Sequence, residues 1–319
     1  MKTFASALSL ALSAGTALAA PPSTSGTQWV KTLLLDDFTG GSGAAPNSAN
    51  WVLQTGTGYP GGAPQWGTGE VQTYTSSGAN IRQAGNGNLN IIPLKSSSGQ
   101  WTSARMESQR SDFAAPAGGK LRVESRIMMP NVSASNGAGY WPAFWMLGGQ
   151  FRSNRTSWPM CGEIDIMEAA NGGNSQTGSV LHCVSSDTNH PSFNFLLTHI
   201  QDVAPGGKCN EYTGRGTSSV CQGSLCSGNF HIYEVVIDRT TSPESVKYWL
   251  DRKLVYTITA NDLGTAVWNQ TFHQGFYLIL NVAMGGSYPN ALAGGQTPTA
   301  STVGGYPMAV DYVGVWTTK

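Results

Sequence analysis

Short apolar or alternating runs recur along this chain, and turn-rich segments separate them. The runs cover residues 89–94, 121–129, 230–238, 246–258, 276–284 and 308–316. No long segment keeps the apolar period of 3.6 that marks an amphipathic helix. The 40 glycines and 16 prolines also work against helices. Several short strands set off by turn residues predict an all-β sandwich.

One run carries aromatic bulk on both faces. In Tyr140-Trp141-Pro142-Ala143-Phe144-Trp145-Met146-Leu147, strand alternation puts Trp141, Ala143 and Trp145 on one side. Phe144 and Met146 take the other. That makes sense where one face packs a core and the other receives a ligand; plain packing is the competing reading. Pyranose rings have apolar CH faces that stack on indoles, which offer a large contact area at low entropy loss. Trp66, Trp101, Trp158 and Trp268 are further candidates for a carbohydrate groove, whereas Trp249 and Trp316 lie in apolar strands and read as packing.

Shortly after this run comes Gly162-Glu163-Ile164-Asp165-Ile166-Met167-Glu168. On a strand Glu163 and Asp165 share one face, and Ile164 and Ile166 fill the other. Strict alternation sends Glu168 to the apolar side. A single β-bulge near Met167 brings it back beside the other two acids. Like charges at close range raise at least one pKa and keep a proton on the site. A retaining glycosidase needs that: one carboxylate attacks, and a protonated one about 5 Å away donates to the leaving oxygen. Cα atoms four strand steps apart lie roughly 13 Å from each other. Two glutamates leaning inward on a concave sheet close most of that gap. An acid-rich solvated edge or a calcium ligand set is the alternative.

Composition narrows the setting. The chain has 319 residues, with 18 Lys+Arg balanced by 18 Asp+Glu. No basic stripe suggests nucleic acid or an anionic membrane as partner. Lys2, an apolar stretch to Leu18 and small residues before Pro21-Pro22 predict a secretory leader over residues 1–20. Residues 21–319 then form a single β-sandwich catalytic domain, since no linker or repeat divides them. Sequons at Asn131, Asn154 and Asn269 are compatible with secretion.

All five cysteines lie beyond the leader, and an oxidising compartment permits disulfides. Cys221 with Cys226, and Cys183 with Cys209, leave Cys161 free; Cys161 with Cys183 is the rival pairing. No C-x-x-C spacing suggests zinc. His182, in Val180-Leu181-His182, falls on a strand beside the acidic one and within reach of Asp165 or a sugar. His190, His199, His231 and His273 suggest no role.

The chain resembles glycoside hydrolase family 16, in its laminarinase-like (endo-β-1,3-glucanase), bulge-containing branch. The resemblance rests on Trp66-Gly67-Thr68-Gly69-Glu70-Val71-Gln72-Thr73-Tyr74-Thr75, on Thr102-Ser103-Ala104-Arg105, on the Trp141–Leu147 strand and on the acidic heptapeptide. Phe276-Tyr277-Leu278-Ile279-Leu280-Asn281-Val282-Ala283 and Val310-Asp311-Tyr312-Val313 complete it, so it covers nearly the whole chain past the leader. It implies a jelly-roll of two curved antiparallel sheets, concanavalin A-like, with a concave cleft for a polysaccharide. It implies Glu163 as nucleophile, Glu168 as general acid and then base, and Asp165 between them as the group that tunes protonation. Trp141 and Trp145 would line sugar subsites, Arg105 would donate to sugar hydroxyls, and Glu70 and Gln72 would reach the cleft. Some members bind a structural calcium, for which Asp311 is the matching position; the reaction itself needs no cofactor. Thr271-Phe272-His273-Gln274-Gly275 stands where many relatives carry an acid, and the stretch from Cys209 to Cys226 is an extension, so fine specificity is where this chain departs. The expected activity is hydrolysis of β-1,3-glucan, or mixed β-1,3-1,4-glucan, by a monomer. Galactan-type hydrolysis, wall transglycosylation and a silent lectin are the alternatives.

Overall fold

The alternation of the sequence resolves into two large sheets. The computed structural model describes residues 27–173, 175–183, 208–211 and 213–319. The expected leader, His190 and His199 lie outside the described residues. A seven-stranded sheet runs in the order Arg215–Val220, Gln176–His182, Glu163–Glu168, Tyr140–Gly148, Phe276–Met284, Arg105–Ser108 and Trp51–Gln54. An eight-stranded sheet runs Lys253–Thr259, Ser245–Leu250, Phe230–Asp238, Lys120–Met128, Met308–Thr317, Leu89–Ile91 and Ile81–Gln83, with Lys31–Asp36 also pairing on Met308–Thr317. Pairing is antiparallel throughout both. A small three-stranded sheet, Thr73–Tyr74, Trp101–Ser103 and Leu94–Lys95, sits apart from them. The architecture is the expected all-β jelly-roll.

The core lies between the large sheets. Phe144, Met146, Ile164, Ile166, Met167, Leu278 and Leu280 come from one side, and Val123, Ile127, Val235, Ile237, Val313 and Val315 from the other; all are buried. Each such side chain contributes about 1.5–3 kcal/mol by leaving water. The opposite face of the seven-stranded sheet is thereby left for chemistry. A smaller cluster of Leu147, Cys161, Tyr277 and Ile279 supports that face, with Trp145, Phe151 and Trp158 packed on it.

Two runs divide where the sequence suggested continuity. Residues 89–94 break after Ile91 near Pro93, which has no N–H for a ladder. Residues 246–258 are a hairpin, Ser245–Leu250 and Lys253–Thr259. Its turn places Asp251 and Arg252 at φ 49° and 66°, without a glycine. Tertiary partners hold it: Asp251 pairs with His231 at 2.7 Å and accepts the Ile232 N–H, and Arg252 reaches Glu124 and Glu234. Among the described residues three short α-helices also occur, Ala260–Leu263, Thr265–Phe272 and Ser287–Ala293. Among the described residues no helix is long and apolar enough to cross a membrane.

Cys183 bonds Cys209, Cys221 bonds Cys226, and Cys161 is free and buried. The rival Cys161–Cys183 pairing is therefore set aside.

Candidate active site

The acidic strand carries the predicted bulge. Trp145 pairs with Asp165 while Phe144 pairs with Met167, so Ile166 is the extra residue. The ladder on the other side slips between Asp165 and Glu168 as well. Ile164, Ile166 and Met167 all enter the core. Glu163, Asp165 and Glu168 consequently share the cleft face, with Glu163 and Glu168 half-buried and Asp165 6% exposed.

Each outer glutamate accepts an indole N–H. Trp158 Nε1 donates to Glu163 Oε2 at 2.8 Å, and Trp141 Nε1 to Glu168 Oε2 at 3.0 Å. Burial pushes the Glu163 carboxyl above its ordinary pKa; the His182 charge and the Trp158 N–H pull against it, and the charges of Glu211 and Glu168 push with it. Burial likewise raises Glu168, opposed by the Trp141 N–H and by His182. Asp165 is raised well above the usual range, by burial first and then by the negative charges of Glu163 and Glu168 on either side. Like charges packed together in this way keep a proton within the row.

His182 stands over this row from the next strand, where it pairs with Glu163 in register. Its Nε2 lies 3.6 Å from Asp165 Oδ2, and its Nδ1 lies 2.6 Å from Glu211 Oε2. The expected neighbour, Asp165, is there; Glu211 is a partner that the sequence reading missed. The only signal for it was the cysteine pair, since Glu211 follows Cys209 by two residues and His182 precedes Cys183.

The remaining candidates separate into rims and supports. Trp145 Nε1 donates to Asn281 Oδ1 at 2.8 Å, and its half-buried ring lies over the Arg105 guanidinium, 4.8 Å from ring centre to Cζ. Trp141 leans on Tyr288, ring centres 5.5 Å apart. Arg105 is neither an open sugar donor nor a surface ion pair. It is 3% exposed, bonded to Glu107 at 3.1 Å and to Tyr59, and enclosed by the rings of Tyr59, Trp66 and Trp145. Glu70 is also buried, accepting from Thr68, Gln72 and Tyr74. Gln72 has no exposed surface and accepts the Met284 N–H at 2.7 Å. Each of these three is buried and satisfies another buried polar group; Tyr74 then passes the support on to Asn281 and so to Trp145. Trp101 and Trp268 are core residues rather than groove residues. Asp311 bonds Arg126 at 2.7 Å. Among the described residues, the one group of three acidic or metal-ligating side chains close enough to hold an ion is Glu163, Asp165 and His182, in the acidic row itself.

A jelly-roll whose cleft face carries two glutamates around an aspartate, each bonded to an indole, is the architecture of a glycoside hydrolase. The XgeA-like, catalytic GH16 domain matches residues 72–223. The crystal structure of an endo-1,3-beta-glucanase from Streptomyces sioyaensis is 46% identical, with 94% of this chain and 99% of that one covered and a TM-score of 0.83. The endo-beta-1,3-glucanase from Pyrococcus furiosus is 28% identical, with 92% and 95% covered and a TM-score of 0.67. Glucan endo-1,3-beta-glucosidase A1 of Niallia circulans is 30% identical over 293 residues, 88% of this chain but 37% of that protein's length. The chain belongs to glycoside hydrolase family 16.

Proposed function

We propose that this chain is a secreted retaining endo-β-1,3-glucanase, also able to cut mixed β-1,3-1,4-glucan. It works as a monomer, with residues 1–20 as leader and residues 21–319 as one catalytic domain. The bulge at Ile166 carries the reading, because it leaves Glu163 and Glu168 on one sheet face with Asp165 between them. Glu163 attacks the anomeric carbon while Glu168 gives its proton to the leaving oxygen. A covalent glycosyl-enzyme results, and Glu168, now a base, takes a proton from the water that releases it. Asp165, between the two, tunes how the row shares its protons. The half-buried Trp141 and Trp145 offer ring surface along the same face. Carboxylates alone carry out these steps, so no cofactor enters them. Similarity to the Streptomyces and Pyrococcus endo-β-1,3-glucanases and to the Niallia glucan endo-1,3-beta-glucosidase supports β-1,3-glucan as the substrate.

The test is incubation with laminarin, lichenan, agarose and xyloglucan, followed by product sizing and by NMR of the first anomer released. Laminarin should be cut to oligosaccharides with the β-configuration retained. Glu163→Gln should abolish turnover and leave binding largely intact. Untouched laminarin beside cleaved agarose or xyloglucan would overturn the substrate, and wild-type turnover by Glu163→Gln would overturn the roles.

A further inference from the structure

Glu211 is absent from the acidic strand, yet it lies deeper in the site than the strand's own acids. Resting on the reading above, we infer that Glu211 is a positioning residue: it clamps the His182 ring so that Nε2 faces Asp165, and it holds that ring as the cation that balances the acidic row. Glu211 has no exposed surface. One of its oxygens lies 2.6 Å from His182 Nδ1, and the other accepts the Cys183 N–H at 3.1 Å. Both oxygens are therefore committed to the end of the His182 strand.

The ring is fixed on its other sides too. Trp158 lies 5.7 Å away, ring centre to ring centre. Gly214, at φ +70°, packs its backbone so close that an added Cβ would stand 2.4 Å from Val180 Cγ1 and 3.0 Å from His182 Cε1. The Cys183–Cys209 disulfide ties the segment bearing Glu211 to the strand bearing His182. A lone histidine in a cleft could rotate; this one cannot without breaking these contacts.

Position then dictates charge. A neutral ring that gives its Nδ1 proton to Glu211 would turn an Nε2 lone pair toward Asp165. A ring protonated on both nitrogens faces a carboxyl group on each side. Among the described residues no arginine or lysine pairs with Glu163, Asp165 or Glu168, so His182 supplies the positive charge. Burial opposes that charge, but the Glu211 bond and the carboxylates of Glu163 and Asp165 outweigh it and lift His182 to about 10. The other titratable groups acting on the row are Glu168, Cys161, Tyr248 and Tyr288. A fixed cation there favours the ionised form of Glu163, the form that attacks.

The test uses the full chain and Glu211→Gln, which keeps the shape and the acceptor for Cys183 but removes the charge. NMR of the His182 imidazole, without substrate, should show a ring that stays protonated to near pH 10 in the wild type. In the variant its proton affinity should fall at least about tenfold, one pH unit. On laminarin, the acid limb of kcat/KM should move to lower pH, because His182 is still protonated there while Glu163 loses the Glu211 charge that raised it, and kcat should fall more than KM changes as the unclamped ring leaves its place beside Asp165. In a His182→Gln background, Glu211→Gln should lower kcat no further. If Glu211→Gln does not fold, Glu211→Asp carries the same readouts with a shortened reach. A folded variant whose His182 titrates as in the wild type overturns the inference, and so does a shifted titration with an unmoved acid limb. A wild type inactive on laminarin sinks the substrate reading instead and leaves the imidazole measurement standing.

Discussion

Trp158→Phe takes one N–H away from the proposed nucleophile while keeping an aromatic ring beside His182. The indole donates to Glu163 Oε2 at 2.8 Å. A hydrogen bond to a charged group contributes about 1.5–3 kcal/mol. Glu163 is half-buried, so solvent screening favours the lower end, about 1.5 kcal/mol or roughly tenfold. The sign follows from the causes already named. Burial holds Glu163 above its ordinary pKa, and the indole N–H draws it down by stabilising the carboxylate. Without that donor the carboxyl rises further, and the ionised nucleophile is lost at a higher pH on acidification. The acid limb of kcat/KM on laminarin should therefore move to higher pH, with activity on that limb roughly tenfold below wild type and the two curves converging above it. Trp141→Phe is the mirror experiment. Its N–H lies 3.0 Å from Glu168, which has to stay protonated to act as the acid. Losing that donor raises Glu168, and the alkaline limb should extend to higher pH. Both curves come from initial rates of reducing-end release across a buffer series. A Trp158→Phe deficit equal at every pH would refute the argument, since it would mean that the indole acts by packing or by binding sugar.

Other perturbations test the supports. Arg105→Ala takes from Glu107, which is 1% exposed, its nearest guanidinium, leaving Gln54, Tyr59 and Arg152, the last at 3.9 Å, and opens the space between the rings of Tyr59, Trp66 and Trp145. Breaking a buried pair in this way costs about 3–5 kcal/mol, so thermal unfolding should shift down by several degrees and KM should rise; an unchanged melting curve would place Arg105 outside the framework. Replacing Cys183 and Cys209 together by serine opens a link across a separation of 26 residues, and removing Cys221 and Cys226 opens one across 5. Loop-closure entropy sets these at about 3.5 and about 2 kcal/mol. Denaturant titration should find the first variant the less stable, and the first alone should also show the acid-limb shift expected of Glu211→Gln.

Local rules reach as far as local causes do. Strands Phe230–Asp238 and Phe276–Met284 were legible because each alternation faces a core on at least one side and ends at turn residues. The bulge was legible because three acids in six residues cannot share a face without one. The hairpin turn at Asp251-Arg252 was not. It carries no glycine, and the partners that stabilise its left-handed residues come from other strands. Arg122, Glu124 and Glu234 were hidden for the same reason. Alternation turns them outward, yet they are buried as a charge cluster beneath Trp316 and Trp29. Glu211 is the sharpest instance. No periodicity assigns a face to a glutamate in a turn, and only the Cys183–Cys209 bond hints at what it meets. The acids that react declare themselves in sequence because their spacing is part of the reaction. The groups that set their protonation arrive from distant segments, and a lone acid on such a segment looks like any solvated one until the chain is folded. A search for functional residues in such chains should therefore follow each half-cystine next to a site residue to its partner, and look there for the counter-charge.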